Sequence, residues 1–185
     1  NDTDECNVCS GDNSSCADCA GTPNGDLIED IFGICGGDNT IQGAIDYFES
    51  GSEEDGHVLI NVPSGTYHES IHLNISWATL SCDGDCVIDA RGIDQRAVII
   101  DNAINTTIEG FTIHGDATMY AGVVITPSCL TVNVSNNTIF GMGLSNPSND
   151  SPLAYGILTY GNDQYDMPTG LCLCDNEIFG ILGSG

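Results

Sequence analysis

The sequence has no lysine and only two arginines, Arg91 and Arg96, against 27 acidic residues, so the formal net charge of its 185 residues is −25. A chain this acidic cannot neutralise phosphate groups, so nucleic acids and anionic membrane surfaces are very poor partners. The absence of lysine excludes Schiff-base catalysis and a phosphate-binding loop lysine. No apolar run reaches transmembrane length, and we therefore expect no membrane insertion.

The residues that are present favour a folded β-protein. Hydrophobic residues make up 41% of the chain and charged residues only 16%, which is enough apolar material for a core. The 23 glycines, together with frequent Val, Ile, Thr and Asn, favour β-structure with many turns. The length allows one ordinary domain and a small additional module.

Ten cysteines are present, without the Cys/His grouping of a zinc site. Disulfides in an oxidising compartment are therefore favoured over metal ligation, and the alternative is free thiols in a cytosolic protein. The residues predicted to form disulfides are Cys6, Cys9, Cys16, Cys19, Cys35, Cys82, Cys86, Cys129, Cys172 and Cys174.

Seven N-x-Ser/Thr sequons occur, more than chance gives, although Asn and Thr are also common at β-turns. With the cysteines they predict a secreted, extracellular or cell-surface protein that carries N-linked glycans. The chain starts without Met and shows no signal peptide, so we expect a mature chain or a piece of a longer one. The predicted glycosylation sites are Asn1, Asn13, Asn74, Asn105, Asn133, Asn136 and Asn149.

Residues 1–39 form a distinct segment with five cysteines, many Asp and Gly, and few large apolar residues. Residues 4–13 are echoed 26 residues later by residues 30–39. So short a repeat cannot fold on a hydrophobic core, and we predict a disulfide-stabilised module. Oxygen ligands suit calcium, while solvated turn aspartates are the alternative. The candidate calcium ligands are Asp4, Asp12, Asp26, Asp30 and Asp38.

The stretch from Cys6 to Cys16, followed by DCAGTPNGD at residues 18–26, resembles the CGVCGGDNSSC…DCAGVPNGDA repeats of large extracellular proteins. The sequence departs from that pattern at Phe32, where the pattern has a cysteine. The resulting five cysteines leave one that pairs with the second domain, pairs with another chain, or stays free.

Residues 40–185 begin with a helical pattern. Apolar residues recur at helical spacing behind Asn39-Thr40, a suitable N-cap pair, and predict a helix over residues 41–49. Short apolar runs then predict strands. These strands are residues 58–62, 71–73, 78–80, 87–88 and 97–100, with a turn at residues 63–67.

Later segments repeat one another. Residues 98–100, 123–125 and 157–159 are equivalent, as are residues 107–115, 133–141 and 172–180. The offset grows from 26 to 39 residues because a loop is inserted at residues 142–155, a pattern typical of a solenoid. The predicted interior ladders are Ile108/Val134/Leu173 and Ile113/Ile139/Ile178, and the predicted structural turn ladder is Asn137 with Asn176, beside Phe111.

These repeats predict an all-β fold, a parallel β-helix over residues 40–185 that we expect to be truncated or continued at its C-terminal end. Its opening, TIQGAID at residues 40–46 and VLINVPSGTYHE at residues 58–69, resembles the pectate-lyase-like superfamily. The resemblance implies a right-handed parallel β-helix whose N-terminal helix caps the solenoid. The resemblance predicts the fold and gives almost no information about activity.

The resemblance includes polysaccharide lyases with acidic calcium ligands and an Arg or Lys base, and hydrolases with paired aspartates, a Gly-His-Gly and an Arg-x-Lys element. This chain has neither short element, and only Arg91 and Arg96 could be bases. We predict no catalytic residues. The acidic residues near the arginines are Asp83, Asp85, Asp89, Asp94, Asp101 and Asp116, and the histidines, which lack metal-ligand spacing, are His57, His68, His72 and His114.

We expect different bonding for two pairs of cysteines that lie close together in sequence. Cys82 and Cys86 flank Asp83-Gly84-Asp85, where a turn closed by a local disulfide is one interpretation. Cys172 and Cys174 alternate on one strand face, so we expect them to bond elsewhere rather than to each other.

The leading hypothesis is a structural protein, a glycosylated β-solenoid that self-associates or joins related subunits in a filament, a mastigoneme-like appendage, or a cell-surface layer or matrix. One alternative is a polysaccharide lyase or hydrolase. The other is a carbohydrate-binding adhesin, for which Tyr155, Tyr160 and Tyr165 could form a small patch.

Overall fold

The computed structural model of the chain describes residues 3–50, 56–143, 154–159, 161 and 168–181. This part is mainly β-structure arranged in parallel sheets, which confirms the predicted all-β class. The described elements are a short 3-10 helix at Ser14–Cys16, the helix α1 (Ile41–Ser50), and the strands β1 (Val58–Tyr67), β2 (Ile71–Leu73), β3 (Ala78–Asp89), β4 (Arg96–Ile100), β5 (Ile104–His114), β6 (Ala121–Ile125), β7 (Leu130–Ser135), β8 (Thr138–Phe140), β9 (Tyr155–Thr159), β10 (Cys172–Cys174) and β11 (Glu177–Phe179).

Residues 3–39, called the turn module below, repeat one tight turn three times, whereas the sequence alone indicated two copies. Each copy closes with an antiparallel bridge, Thr3 to Cys9, Ala17 to Pro23 and Glu29 to Cys35. The same backbone hydrogen bond recurs in each turn at 2.9 to 3.0 Å. Its donor and acceptor pairs are Asp4 N to Val8 O, Asp18 N to Thr22 O, and Asp30 N to Ile34 O.

Residues 40–181, called the rung domain below, form stacked layers. We use "rung" for a length of chain that contributes strands to both sheets. One sheet has the order β1-β3-β5-β7-β10, with β8 pairing β5 and β11 pairing β8, and the other has the order β2-β4-β6-β9. Every pairing in these sheets is parallel, so equivalent positions of successive rungs lie directly above one another.

The interior of the stack is built from aligned apolar side chains. Both predicted ladders are confirmed in register, because Ile108 pairs Val134 and Val134 pairs Leu173, while Ile113, Ile139 and Ile178 pair in the same way. The equivalence of residues 98–100, 123–125 and 157–159 is also confirmed. Full burial of each such side chain contributes about 1.5–3 kcal/mol, so the ladders hold the rungs together.

The helix α1 covers the amino end of the stack. Ile41, Ala44 and Ile45 are fully buried against the first rung. Thr40 is the predicted N-cap, since its Oγ1 accepts a hydrogen bond from the Gly43 N–H at 2.8 Å. The carboxylate of Glu69 accepts two more from the first helical N–H groups, each at 2.9 Å, and so fastens the helix to the following strand segment.

Two predicted local structures differ from the structure. The predicted turn at residues 63–67 is part of β1, which continues through an irregularity between Pro63 and Gly65. The predicted strands at residues 78–80 and 87–88 belong to one strand, β3, whose pairing with β5 skips from Ser81 to Cys86. In both cases pairing with the neighbouring rung overrides a local turn signal. The described residues contain no helix that is long and apolar enough to cross a membrane.

Candidate functional site

An outward-facing row crosses the larger sheet one position after an interior ladder. Asp89, His114, Phe140 and Phe179 are register partners in successive rungs. His68 precedes them, since it follows Tyr67, which pairs Ile88, and its Nδ1 lies 3.7 Å from Oδ2 of Asp89. The row places imidazoles and a carboxylate beside two phenyl rings.

The carboxylate of Asp89 is bound by Arg91. The Nε and Nη2 groups of Arg91 donate to Oδ1 and Oδ2 at 2.7 and 2.8 Å, a bidentate ion pair. These hydrogen bonds are the main reason that the pKa of Asp89 falls to about 2, and His114 lowers it further through its charge. Asp89 in turn raises the pKa of Arg91, so this guanidinium is a poor proton acceptor.

The aromatic part of the row is a continuous stack. The ring centroids of His114 and Phe140 are 4.5 Å apart, and those of Phe140 and Phe179 are 5.1 Å apart with nearly parallel planes. Phe179 remains half exposed. Parallel strand pairing therefore creates a surface of stacked rings that the sequence analysis did not find, although the aligned positions of Phe140 and Phe179 were a usable signal.

A shallow depression of about 460 Å³ is lined by residues 92–96, which follow Arg91 in sequence, and by Thr118. Arg96 donates from Nε to Asp94 Oδ1 at 3.2 Å. Burial raises the pKa of Asp94, but the hydrogen bond and charge of Arg96 outweigh it, so the pKa lies below its ordinary value. Both arginines of the chain are thus paired with carboxylates.

Two of the remaining acidic candidates near the arginines are held by hydrogen bonds, and the other two are exposed. Asp116 accepts hydrogen bonds from the N–H and Oγ1 of Thr118 and from the Gly92 N–H, and these bonds lower its pKa. Asp101 accepts from Thr126 Oγ1 at 2.6 Å. Asp83 and Asp85 lie in the exposed excursion of β3 between two disulfide-bonded cysteines. The carboxylates of Asp116 and Asp101 are therefore held in place by hydrogen bonds to neighbouring N–H and hydroxyl groups.

The histidines lie in strands or beside them. His72 and His114 are in β2 and β5, and His57 bonds Thr79 Oγ1 at 2.7 Å. His72 Nε2 lies 3.7 Å from Oδ2 of Asp101. Of the adhesin patch, Tyr155 is half-buried in β9, and Tyr160 and Tyr165 lie outside the described residues.

The last described rung, which includes β10 and β11, exposes the side chains that continue the interior ladders. Leu173 and Ile178 are 46% and 45% exposed, although their register partners Val134 and Ile139 are fully buried, and Phe179 of the outward-facing row is 48% exposed. The described residues therefore present an apolar surface at this end of the stack, while α1 covers the other.

The asparagine ladder is confirmed. The Oδ1 of Asn137 accepts from the Phe111 N–H at 2.9 Å, and the Oδ1 of Asn176 accepts from the Asn137 N–H at 3.1 Å. Their amide groups donate to carbonyls of the preceding rung, at Ile108 and Val134. Each amide thus satisfies backbone groups at a bend of the rung, which is a structural role.

The calcium candidates are engaged in turns. Asp4 and Asp30 each accept a hydrogen bond from the N–H four residues later, and Asp12 and Asp38 bond the N–H and hydroxyl of Ser14 and Thr40. Those bonds lower the pKa of Asp12 and Asp38. The carboxylates of Asp4, Asp18 and Asp30 occupy the same position in the three turns, so Asp18 was missed in the sequence.

A calcium site remains a prediction. Asp26 is exposed, and Oδ2 of Asp30 is buried without a hydrogen-bond partner. Within the described ranges, no group of three His, Cys, Asp or Glu side chains is placed to hold a metal ion. A sequence signal does identify the missed middle turn. In all three turns a glycine (Gly11, Gly25 or Gly37) lies seven residues after the turn aspartate and is followed by another aspartate. A Cβ at any of these glycines would collide with the turn carboxylate.

Eight cysteines form four disulfides, Cys6–Cys16, Cys19–Cys35, Cys82–Cys86 and Cys172–Cys174. The expectation that Cys172 and Cys174 bond elsewhere is wrong, because the strand ends at Cys174 and the two thiols meet beside the turn. The predicted disulfide of Cys129 is wrong too, since this thiol is buried and bonds the Ile100 carbonyl. Cys9 is free and exposed, one of the three outcomes left open.

The sequon asparagines differ in the freedom of their amide groups. The side chains of Asn105 and Asn136 form no hydrogen bond within the described part of the chain, and Asn136 is exposed while Asn105 is half-buried. Asn74 is engaged, since its Nδ2 donates to Glu49 at 2.7 Å and its Oδ1 is buried.

Of the four other sequon asparagines, two lie within the described residues and two outside them. Asn133 has a buried Oδ1 without a partner, and Asn13 accepts the Glu5 N–H at 2.8 Å, which leaves its Nδ2 free. Asn1 and Asn149 lie outside the described residues. Occupancy of all seven sites remains a prediction.

Comparisons with known proteins give no match: no family model, no curated protein and no solved structure is significantly similar to the chain. Both resemblances therefore stay predictions, and the function has to be argued from the geometry.

Proposed function

We propose that this chain is a building block of an extracellular, N-glycosylated structural assembly, such as a filament, a mastigoneme-like appendage or a cell-surface matrix. The observation that carries the proposal is the apolar, strand-bearing surface of Leu173, Ile178 and Phe179. Open strands with aligned apolar side chains accept further β-structure.

We infer that the rungs form a right-handed parallel β-helix. All strand pairs in both sheets are parallel, and between visits to the larger sheet the chain passes through one strand of the smaller sheet, at β2, β4, β6 and β9. Crossovers between parallel strands of one sheet are right-handed in about 98% of cases, which favours that hand. In such a fold the interior ladders continue from rung to rung, and the two ends are the natural places for association.

The two ends are unequal. Helix α1 seals the amino end with fully buried residues, so a partner cannot add a rung there without displacing it. The end with β10 and β11 presents strands and exposed ladder residues. The occupant proposed for this end is another layer of β-structure in register with the ladders, supplied by more of this polypeptide or by a related subunit.

The free thiol of Cys9 supports linkage between units. Cys9 occupies the same place in the first turn as Cys35 in the third, because each closes the antiparallel bridge of its turn. Cys35 is bonded to Cys19 in the preceding turn. A further copy of the turn, in this polypeptide or another subunit, would supply the matching cysteine for Cys9.

The ion pairs of the two arginines support a non-catalytic role. A base must release its proton to act, and each guanidinium has a raised pKa because it bonds an aspartate. Incubation with polygalacturonate and alginate, with calcium added, tests this point. Unsaturated or new reducing ends that disappear in Arg91→Gln or Arg96→Gln would establish the lyase or hydrolase instead.

The experiment for the assembly proposal uses the secreted protein. We expect light scattering and negative-stain microscopy to show concentration-dependent oligomers or filaments, and expect Ile178→Asp to abolish them. Leu59→Asp is the matched control, because Leu59 is also half exposed but lies in the first rung. A strictly monomeric wild-type protein at high concentration, with Cys9 unpaired in native material, would overturn the proposal.

A second candidate, a carbohydrate-binding surface, is favoured by the stack of Phe140 and Phe179 beside His114. Aromatic faces next to polar groups are suited to sugar rings. Glycan-array binding that is lost in Phe179→Ala would support it, and an array without a binder would exclude it.

A further inference from the structure

One corner of the stack holds a left-handed residue in four successive rungs. Trp77, Asn105, Thr131 and Gly170 have φ angles of 57°, 55°, 55° and 68°. Their alignment follows from hydrogen bonds, since the Trp77 N–H donates to Ile104 O at 2.7 Å and the Thr131 N–H donates to Thr169 O at 2.8 Å. The side chain of Asn105 therefore starts between those of Trp77 and Thr131.

Trp77 is an unusual residue for this corner. A bulky residue at positive φ is strained, and Gly or Asn would fit the same backbone at lower cost. The backbone is nonetheless fixed, because its carbonyl also accepts the Val58 N–H at 2.8 Å. The side chain is 57% exposed, so burial does not compensate for the strain. Persistent strain at an exposed aromatic residue indicates a functional constraint.

Asn105 begins the sequon Asn105-Thr106-Thr107. Its amide has no hydrogen-bond partner in the described ranges, so its Nδ2 is available for a sugar. The Thr106 hydroxyl is buried and bonded to Ile75 O at 2.7 Å, so sugar transfer has to precede folding of this rung. The sequon nearest in sequence to Trp77 is less suitable, because the Asn74 amide is bonded to Glu49.

The surface around Asn105 is apolar. Ile104 and Leu130 are register partners that are 41% and 44% exposed, and both lie beside the corner that Trp77 begins. An exposed apolar patch on a chain of net charge −25 requires something to cover it. A sugar linked to Asn105 would be covalently attached to the chain at this place.

We propose that the N-linked glycan of Asn105 packs its first sugar against the indole of Trp77 and so covers this corner. The C–H face of a sugar ring and an aromatic face make apolar contact, which offsets the exposure of both. The inference rests on the glycosylation part of the proposed function and deepens it by naming the site that the sugar occupies.

Asn136 provides a matched control sequon. It also has a positive φ of 56°, and its corner neighbours are Gly110 and Asp175, which follow the register partners of Ser135. That column contains no aromatic residue. A glycan at Asn136 therefore gains no comparable contact.

Trp77 is the only tryptophan in the chain, so its fluorescence reports this corner directly. The test uses the secreted, glycosylated protein, with site occupancy determined by peptide mass spectrometry. We expect acrylamide quenching to rise about twofold after enzymatic removal of the glycans, since a covering sugar shields about half of the ring. Asn105→Gln should give the same rise and Asn136→Gln none.

Thermal unfolding separates contact from mere occupancy. We expect Asn105→Gln to lower Tm by about 2 °C or more when Trp77 is present, and by less than about 1 °C in Trp77→Gly. Trp77→Gly suits the backbone, so this variant should fold. Unchanged quenching on glycan removal, equal Tm shifts in both backgrounds, or an unoccupied Asn105 would overturn the inference. Oligomer formation is measured separately, so loss of this contact leaves the assembly proposal standing.

Discussion

The turn module and the rung domain are both repeats, but different forces hold them together. In the turn module Ile34 is the buried hydrophobic residue, and two disulfides join the three turns. In the rung domain the aligned ladder residues are fully buried in the middle rungs. A turn of about a dozen residues cannot enclose an interior, whereas a rung about twice as long can.

The two regions also satisfy backbone groups differently. In the module, the carboxylates of Asp4, Asp18 and Asp30 bond N–H groups of their own turns. In the rung domain, neutral Asn137 bonds backbone groups of the rung before it and is 1% exposed. A charge suits the solvated turn, and a neutral amide suits the buried bend, because burying a charge without a counter-ion is costly.

The largest expected effect is a cavity in the rung domain. Ile113→Ala should lower the free energy of unfolding by about 4 kcal/mol, because Ile113 is fully buried between ladder partners. Thr112→Ala, one residue away and only half-buried, should cost much less. Chemical denaturation of both variants measures the difference, and equal losses would mean that the ladder does not stabilise the stack.

The second expected effect is a loss of stability that is confined to the turn module. Replacing both Cys19 and Cys35 by Ala removes a link across 16 residues and should destabilise the module by about 3 kcal/mol. The rung domain has its own core, so we expect its thermal transition to shift little. Hydrogen exchange should rise in residues 17–37 and stay constant in β5 and β7.

The matched control for that variant is the pair Cys82 and Cys86, both replaced by Ala. This disulfide closes a loop of four residues within one strand, so its removal should cost less than removal of the longer link. Exchange that increases throughout the rung domain after loss of Cys19–Cys35 would show that the two regions are one cooperative unit.

The sequence predicted the rung domain more fully than the module. Periodic apolar residues placed Ile108 above Val134 and Ile113 above Ile139 correctly, because register in a stacked sheet follows the burial pattern. The helix was predicted within one residue of its observed end at Ser50. The bends were not predicted, since Pro63 and Gly65 read as a turn when pairing with the next rung keeps them in a strand.

Sequence reasoning was weaker for surface sites. The row of Asp89, His114 and Phe140 depends on which side chains face outward at one register position, and no motif marks it. The pairing of Cys172 with Cys174 depends on where β10 ends rather than on strand alternation. Register errors of one residue would have moved each of these side chains to the other face, so geometry was needed.

The third expected effect is a loss of stability when either asparagine of the ladder is replaced. Asn137→Ala should cost about 2 kcal/mol, because it leaves the buried Phe111 N–H without an acceptor. Asn176→Ala removes the same type of bond at the exposed rung, where water can replace it, so the loss should be smaller. Urea unfolding of the two variants measures this, and equal losses would contradict a dependence on burial.

The smallest expected effect is on the pKa values of two aspartates, one bound by an arginine in the rung domain and one bound by a serine in the turn module. The pKa of Asp89 is about 2 because Arg91 binds it, below the ordinary value of 3.8, whereas the pKa of Asp12 is lowered by Ser14. A depressed folded-state pKa means that the stabilisation is present above about pH 4 and is lost as the pH falls through about 2. Carboxyl NMR titration should show the pKa of Asp89 rising in Arg91→Gln and that of Asp12 rising in Ser14→Ala. If Arg91→Gln left the pKa of Asp89 unchanged, the charge of His114 rather than the ion pair would hold that pKa low, because burial raises it.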